Sequence, residues 1–250
     1  MANALLLIMA IRGLRDRLAF LVPVLALGLL WTQSRGAILS VVFGLVVLVV
    51  VQPGRERGRT ALLLLPVALA GFIAFNLLPD EAQERNTSFS TTDGSDAARS
   101  LEYREEFADQ AWQMIHAEPV FGVGIGGYID GIEGTAPPTS DDPHQILLLV
   151  AAEGGYPMLF GFIAMIVGTF CLCGRYRRRL YGPASAAVMA ATVGHGLFDV
   201  YWVRGTPVLS WLLVGMVLGS AQLKRSGQSD QGLRRNLILD GPDRSASIAS

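Results

Sequence analysis

The chain has 250 residues, 51% of them apolar and only 16% charged, with a mean hydropathy of +0.42. A soluble domain carries nearer a quarter charged residues, so these values exclude an ordinary soluble core and predict an all-α, polytopic membrane protein. The net charge of −1 averages one acidic block against several basic clusters; small basic clusters between apolar runs set membrane orientation, and no nucleic-acid partner is expected.

Taken in chain order, Met1–Ala10 is apolar but too short for an ordinary crossing. Arg12, Arg15 and Arg17 follow it with no small-residue cleavage site, which rules out a signal-peptide core. Residues 1–17 therefore read as an N-terminal segment, either the remnant of another helix or an interfacial stretch. Residues 18–78 hold three predicted spans: Leu18–Thr32, interrupted only by Pro23; Ala37–Val51, ending at the Arg55, Arg57 and Arg59 cluster; and Ala61–Leu78. Residues 79–143 form a long polar loop. Residues 144–223 hold three more spans, His144–Gly174, Gly182–Val203 and Thr206–Leu223, and each run approaches or exceeds the roughly 20 residues of a bilayer crossing. Residues 224–250 are rich in Ser, Asp and Arg and are expected to be a disordered tail. Cys171 and Cys173 sit within an apolar run and read as small packing residues, with neither a disulfide framework nor a zinc site.

Six crossings put every basic cluster on one side, including Arg175 with Arg177–Arg179, and Lys224 with Arg225. The loop 79–143, with fourteen acidic residues and three arginines, falls on the other together with Arg35 and Arg204. The positive-inside rule then places both termini in the cytoplasm and the loop outside it.

Inside the loop, Pro79–Ser100 reads as irregular. Leu101–Glu118 has the amphipathic spacing of a helix, with Leu101, Phe107, Ala111, Trp112, Met114 and Ile115 as its apolar positions, and Pro119 ends it. Gly122–Gly134 is a glycine-rich turn region. Thr135–Pro143 is a stiff, extended approach to His144.

Several residues are candidates for chemistry. Arg35 lies between two spans, either snorkelling to lipid phosphate or forming a fixed anion site through its forked donors. Arg104 stands among Glu102, Glu105 and Glu106, as a surface ion pair or a second phosphate contact. His144 follows a proline and opens an apolar run, as an interfacial helix-end histidine or as a base; imidazole titrates nearest neutral pH of all side chains, which suits general-base work. Asp141 and Asp142 either orient it or merely end the loop. Gly122 and Gly124 fit a tight turn with close backbone approach better than a dinucleotide fingerprint. His195 and Asp199, four apart, share a helix face, and with Glu153 they read as interhelical glue or site lining.

These elements together resemble the C-terminal half of the O-antigen ligase/polymerase superfamily of bacterial membrane glycosyltransferases. The resemblance runs across residues 32–220. It rests on Ser34-Arg35-Gly36-Ala37, Arg104 fifteen residues before Pro119, Pro119-x-x-Gly122-x-Gly124, His144-Gln145-x-x-Leu148, Glu153-x-Gly155 and His195-x-x-x-Asp199-x-Tyr201-Trp202. The family usually has Asn where this chain has Gln145, and ten or more spans.

The resemblance implies transfer of a glycan from an undecaprenyl-pyrophosphate carrier to a hydroxyl of a glycan, lipid or protein acceptor, at the bacterial inner membrane, in building the cell envelope. His144 would be the general base, and Arg35 and Arg104 would bind pyrophosphate. Ser34, Gly122, Gly124, Gln145, Glu153, His195 and Asp199 would line the substrate site. No cofactor or metal is expected. The alternative is a non-catalytic membrane subunit, or half of a split protein whose partner supplies the missing spans. A transporter fits less well, because no internal repeat is visible.

Overall fold

The computed structural model describes residues 1–11, 15, 17–31, 35–54, 56–58, 60–62, 96–132, 143–198, 202 and 207–239, and among them the long uncharged runs are helical. Among them the elements are α1 (Ala2–Ala10), α2 (Leu21–Trp31), α3 (Arg35–Val51), α4 (Asp96–Ala117), α5 (Gly127–Ile132), α6 (Ile146–Arg175), α7 (Gly182–Gly196) and α8 (Val208–Leu239). No strand occurs among the described residues, so the all-α expectation holds.

Among the described residues one helix, α6, is long and apolar enough to cross a membrane. The apolar parts of α3 (Gly36–Val51) and α8 (Val208–Leu223) are shorter. The expected span Ala61–Leu78 lies outside the described residues apart from its first two. So do residues 79–95 of the loop and Glu133–Asp142.

The bundle is organised around α7. Almost every residue of this helix is buried, from Gly182 to Gly196, as expected of a helix apolar all round. Its alanines and glycines let neighbours approach closely. A Cβ on Gly194 would lie 2.9 Å from the Phe43 ring, and one on Gly44 would meet Leu6 and the Ala187 carbonyl. Both contacts lie where α3 and α7 cross. Thr192 Oγ1 donates to the Val188 carbonyl at 2.8 Å and lies 2.6 Å from Ser210 Oγ on α8. A hydroxyl has one proton, so Ser210 donates to Thr192 and ties α8 to α7.

Two segments carry more structure than the sequence reading gave them. The first is Met1–Ala10, read as the remnant of another helix or an interfacial stretch. Leu5, Leu6 and Met9 of α1 are at most 1% exposed, in one core with Leu48, Ala187, Val188 and Leu213. Helix α1 is a short interior helix, and a length rule for crossings does not apply to a helix enclosed by protein. The second is the tail, because α8 runs on as one helix to Leu239, well past Lys224 and Arg225. Extending an existing helix costs far less than starting one.

Opposite ends of the bundle differ in chemistry. Arg15 Nη1 lies 3.1 Å from Glu56 Oε2, which joins the first two basic clusters. Cys173 Sγ contacts Ser185 Oγ at 3.4 Å beside the tight turn Tyr176–Gly182, at the third. At the far end of α7, a Cβ on Gly196 would lie 3.4 Å from Ile146, the first residue of α6. Helices α6 and α7 are therefore an antiparallel hairpin, and the start of α6 meets the end of α7.

Candidate functional site

Helix α6 is broken at Gly155 (φ 66, ψ −174), and Pro157 follows two residues later. An unbroken helix would pair the Ala152 carbonyl with Tyr156 N–H and the Glu153 carbonyl with the N–H of residue 157. The first pair is pulled apart, and the second cannot form because proline has no N–H. The turn after α4 replaces both. Val123 N–H donates to the Ala152 carbonyl at 2.9 Å and Gly124 N–H to the Glu153 carbonyl at 3.0 Å, while Tyr156 N–H donates to the Pro119 carbonyl at 2.8 Å. Gly126 N–H completes the set by donating to Glu153 Oε1 at 2.9 Å.

Only glycine fits the contact points of this clamp. Gly122 has φ 63, and a Cβ there would run into the Glu153–Gly154 peptide. Gly155 has φ 66, and its Cβ would lie 2.5 Å from the Val120 carbonyl oxygen. Gly124 (φ 93) has open space around it, so its handedness alone selects glycine. The motifs Pro119-x-x-Gly122-x-Gly124 and Glu153-x-Gly155 are thus two halves of one backbone joint. The amides of Gly122, Val123, Gly124 and Gly126 all donate to protein carbonyls or to Glu153.

The clamp seats α4 against the first part of α6. Phe107, Ala111 and Ile115 of α4, with Tyr128 of α5, are buried against Ala151 and Ala152. Tyr128 is fully buried and its hydroxyl donates to the Phe107 carbonyl at 2.9 Å. The ring of Phe107 in turn lies parallel to the imidazole of His144, with planes 4° apart and centroids 6.4 Å apart, within the range of offset stacking.

His144 is held from its other side by the backbone. Pro143 before it is buried, and His144 itself takes a left-handed conformation, φ 53, the one positive φ at a non-glycine among the described residues. Gln145 then returns to extended backbone and caps α6, its Oε1 accepting from Leu148 N–H at 2.7 Å. Asparagine and aspartate are the usual caps; glutamine reaches the same amide with one more methylene. The imidazole therefore leaves the helix mouth at an angle that a continuing helix would not give.

The other predicted residues fall into three groups. Arg104 is exposed on α4, one turn before Phe107. His195 is 8% exposed in the last turn of α7, beside Gly196 and hence near Ile146. Arg35 is the first residue of α3. One end of the bundle so carries the start of α6, the end of α7 and, through Phe107, the Arg104 face of α4. Ser34, Asp141, Asp142 and Asp199 lie outside the described residues. Sequence reasoning gave Phe107 only an apolar face position and gave Tyr128 nothing; a tyrosine placed among glycines was the available signal.

Among the described residues, which are helical throughout their regular structure, one helix is of crossing length and polar side chains gather at its mouth. The family model described as O-antigen ligase matches residues 18–163, more than half of the chain, and the chain belongs to that family. The family is membrane-integral and of the glycosyltransferase type, ligating or polymerising lipid-linked glycans. The match includes Arg35, Arg104, His144 and Glu153 and ends before His195. No curated protein matches the chain.

Proposed function

We propose that this chain transfers a glycan from an undecaprenyl-pyrophosphate carrier to an acceptor hydroxyl on the extracytoplasmic side of the bacterial inner membrane. The observation that carries the reading is the seating of the His144 imidazole on Phe107, the residue one helical turn from Arg104. A base and a cation are thereby presented by two elements that one core holds together.

In this mechanism His144 accepts the proton of the acceptor hydroxyl as its oxygen bonds to the anomeric carbon. The bond from that carbon to the pyrophosphate oxygen breaks on the opposite face, giving inversion and releasing undecaprenyl pyrophosphate. Arg104 and Arg35 hold the leaving group's growing negative charge, since guanidinium matches phosphate with paired donors and fixed charges aimed at developing charge lower the barrier. Gln145 sets the helix mouth. Glu153, Gly122 and Gly124 act by locking the loop to α6, while Ser34, His195 and Asp199 belong to the wall around the substrate.

The test is glycan transfer by membranes carrying Arg104→Lys or Arg104→Ala. Arg104 is exposed, so both variants should insert and fold normally. Lysine should restore only part of what alanine loses, because it lacks the planar fork. Full transfer by the alanine variant would remove Arg104 from the mechanism.

A further inference from the structure

The break in α6 also fixes the height of the glycine turn. Measured back from Arg175, where the third basic cluster begins, a crossing of about 30 Å uses about 20 residues. That count ends at Tyr156, the residue after the break. Below it the side chains Met158, Phe160, Ile163 and Val167 are exposed and apolar, the surface of a lipid-facing helix. The residues before it are instead covered by protein: Ala151 and Ala152 are buried against α4, and Ile146 and Val150 are buried too. Tyr156 itself is an aromatic with a polar tip, the residue type enriched at membrane interfaces.

The turn clamped to this break carries the most exposed large apolar side chains among the described residues of the loop. Phe121 is 83% exposed and Ile125 89%, with Val120 beside them at 55%. The turn cannot rotate to bury them, because its backbone is bonded to the Ala152 and Glu153 carbonyls and to Tyr156 N–H. Contiguous apolar surface of this kind marks a contact, and here it continues the lipid-facing surface of α6 at the level where that helix leaves the bilayer.

We propose that Val120, Phe121 and Ile125 insert into the boundary between head groups and acyl chains, in the leaflet opposite the basic clusters. The occupant of this surface is the bilayer itself. The loop is then held at the interface twice, by the clamp to α6 and by its own tip in lipid. The proposal stands apart from the catalytic reading, since its readout is depth and not transfer.

Nitroxide labels report depth directly. The full chain, with Cys171→Ala and Cys173→Ala, is reconstituted in vesicles of phosphatidylethanolamine and phosphatidylglycerol and labelled singly at Phe121→Cys or Ile125→Cys. Glu105→Cys on the exposed face of α4 and Val167→Cys on α6 serve as water and lipid references. Collision with oxygen relative to a water-soluble nickel chelate should be several-fold higher at 121 and 125 than at 105, and below that at 167. Ratios at 121 and 125 equal to that at 105 would overturn the proposal by placing the tip in water. Labels reached by neither quencher would overturn it in favour of a protein partner. The two positions are read independently.

Discussion

His144 and Phe107 lie with ring planes 4° apart, although they are 37 positions apart in the chain and belong to different elements. The stack sets the plane of the imidazole, and Tyr128 sets Phe107 in turn through its bond to the Phe107 carbonyl. Phe107→Leu keeps the apolar volume and removes the ring. Swaps of this kind cost under about 1.5 kcal/mol of stability. Glycan transfer should fall at saturating donor with the donor KM little changed, because the base is loosened and not the binding site. A rise in KM alone would show that Phe107 serves substrate binding instead.

Replacement of His144 separates chemistry from backbone strain. Asparagine tolerates a left-handed backbone, so His144→Asn should fold as the parent does and lose transfer by about 10²–10⁴-fold, the usual contribution of a general base. His144→Ala should lose as much transfer; the parent histidine already bears the left-handed strain, so the added loss of stability comes from removing the ring that packs on Phe107. Thermal unfolding in detergent and a transfer assay read the two effects. Unchanged glycan products from His144→Asn would end the base assignment and favour a non-catalytic subunit.

The clamp predicts a graded series among three glycines with positive φ. Gly122→Ala and Gly155→Ala each add a collision with backbone to the strain of handedness, and both should release the loop from α6. Gly124→Ala meets nothing and should cost only the strain, about 1–2 kcal/mol. Limited proteolysis between α4 and α6 measures the difference: rapid cleavage in the first two variants, near-parent resistance in the third. Equal behaviour of all three would show that the joint is not what holds the loop.

Gln145 is predicted to be exchangeable for asparagine. Both side chains present an amide oxygen, and asparagine is among the best helix caps, so Gln145→Asn should leave stability and transfer near the parent values. Gln145→Ala leaves Leu148 N–H without its acceptor and should cost about 1 kcal/mol. Loss of transfer in the asparagine variant would assign the longer side chain a substrate contact.

Much of the helical content was legible in the sequence for simple reasons. Phe107, Ala111 and Ile115 recur at the spacing of a helix face, and Pro119 stops the run, so the predicted 101–118 differs from α4 mainly at its start. The long uncharged stretch after His144 shows as α6, and Gly154, Gly155 and Pro157 are visible breakers within it. What fills the break was not legible, because carbonyls taken up by amides some 30 residues earlier leave no side-chain pattern. The left-handed turn at His144 was equally hidden. A residue after proline has no fixed handedness, and here the buried Pro143, the Gln145 cap and the Phe107 ring decide it together. For the candidate site, the sequence named His144 and Arg104 but not the aromatic pair that relates them.

The joint between the glycine turn and α6 also bears on how the chain is assembled. Pro119–Gly126 is synthesised before Gly155, so the two broken hydrogen bonds of α6 can close only onto a segment that has already been delivered to the same side of the membrane. Without that turn in place the Ala152 and Glu153 carbonyls would lack donors at the edge of an apolar medium, where each such group costs several kcal/mol. The break in one helix thus takes its final form from a segment made before it.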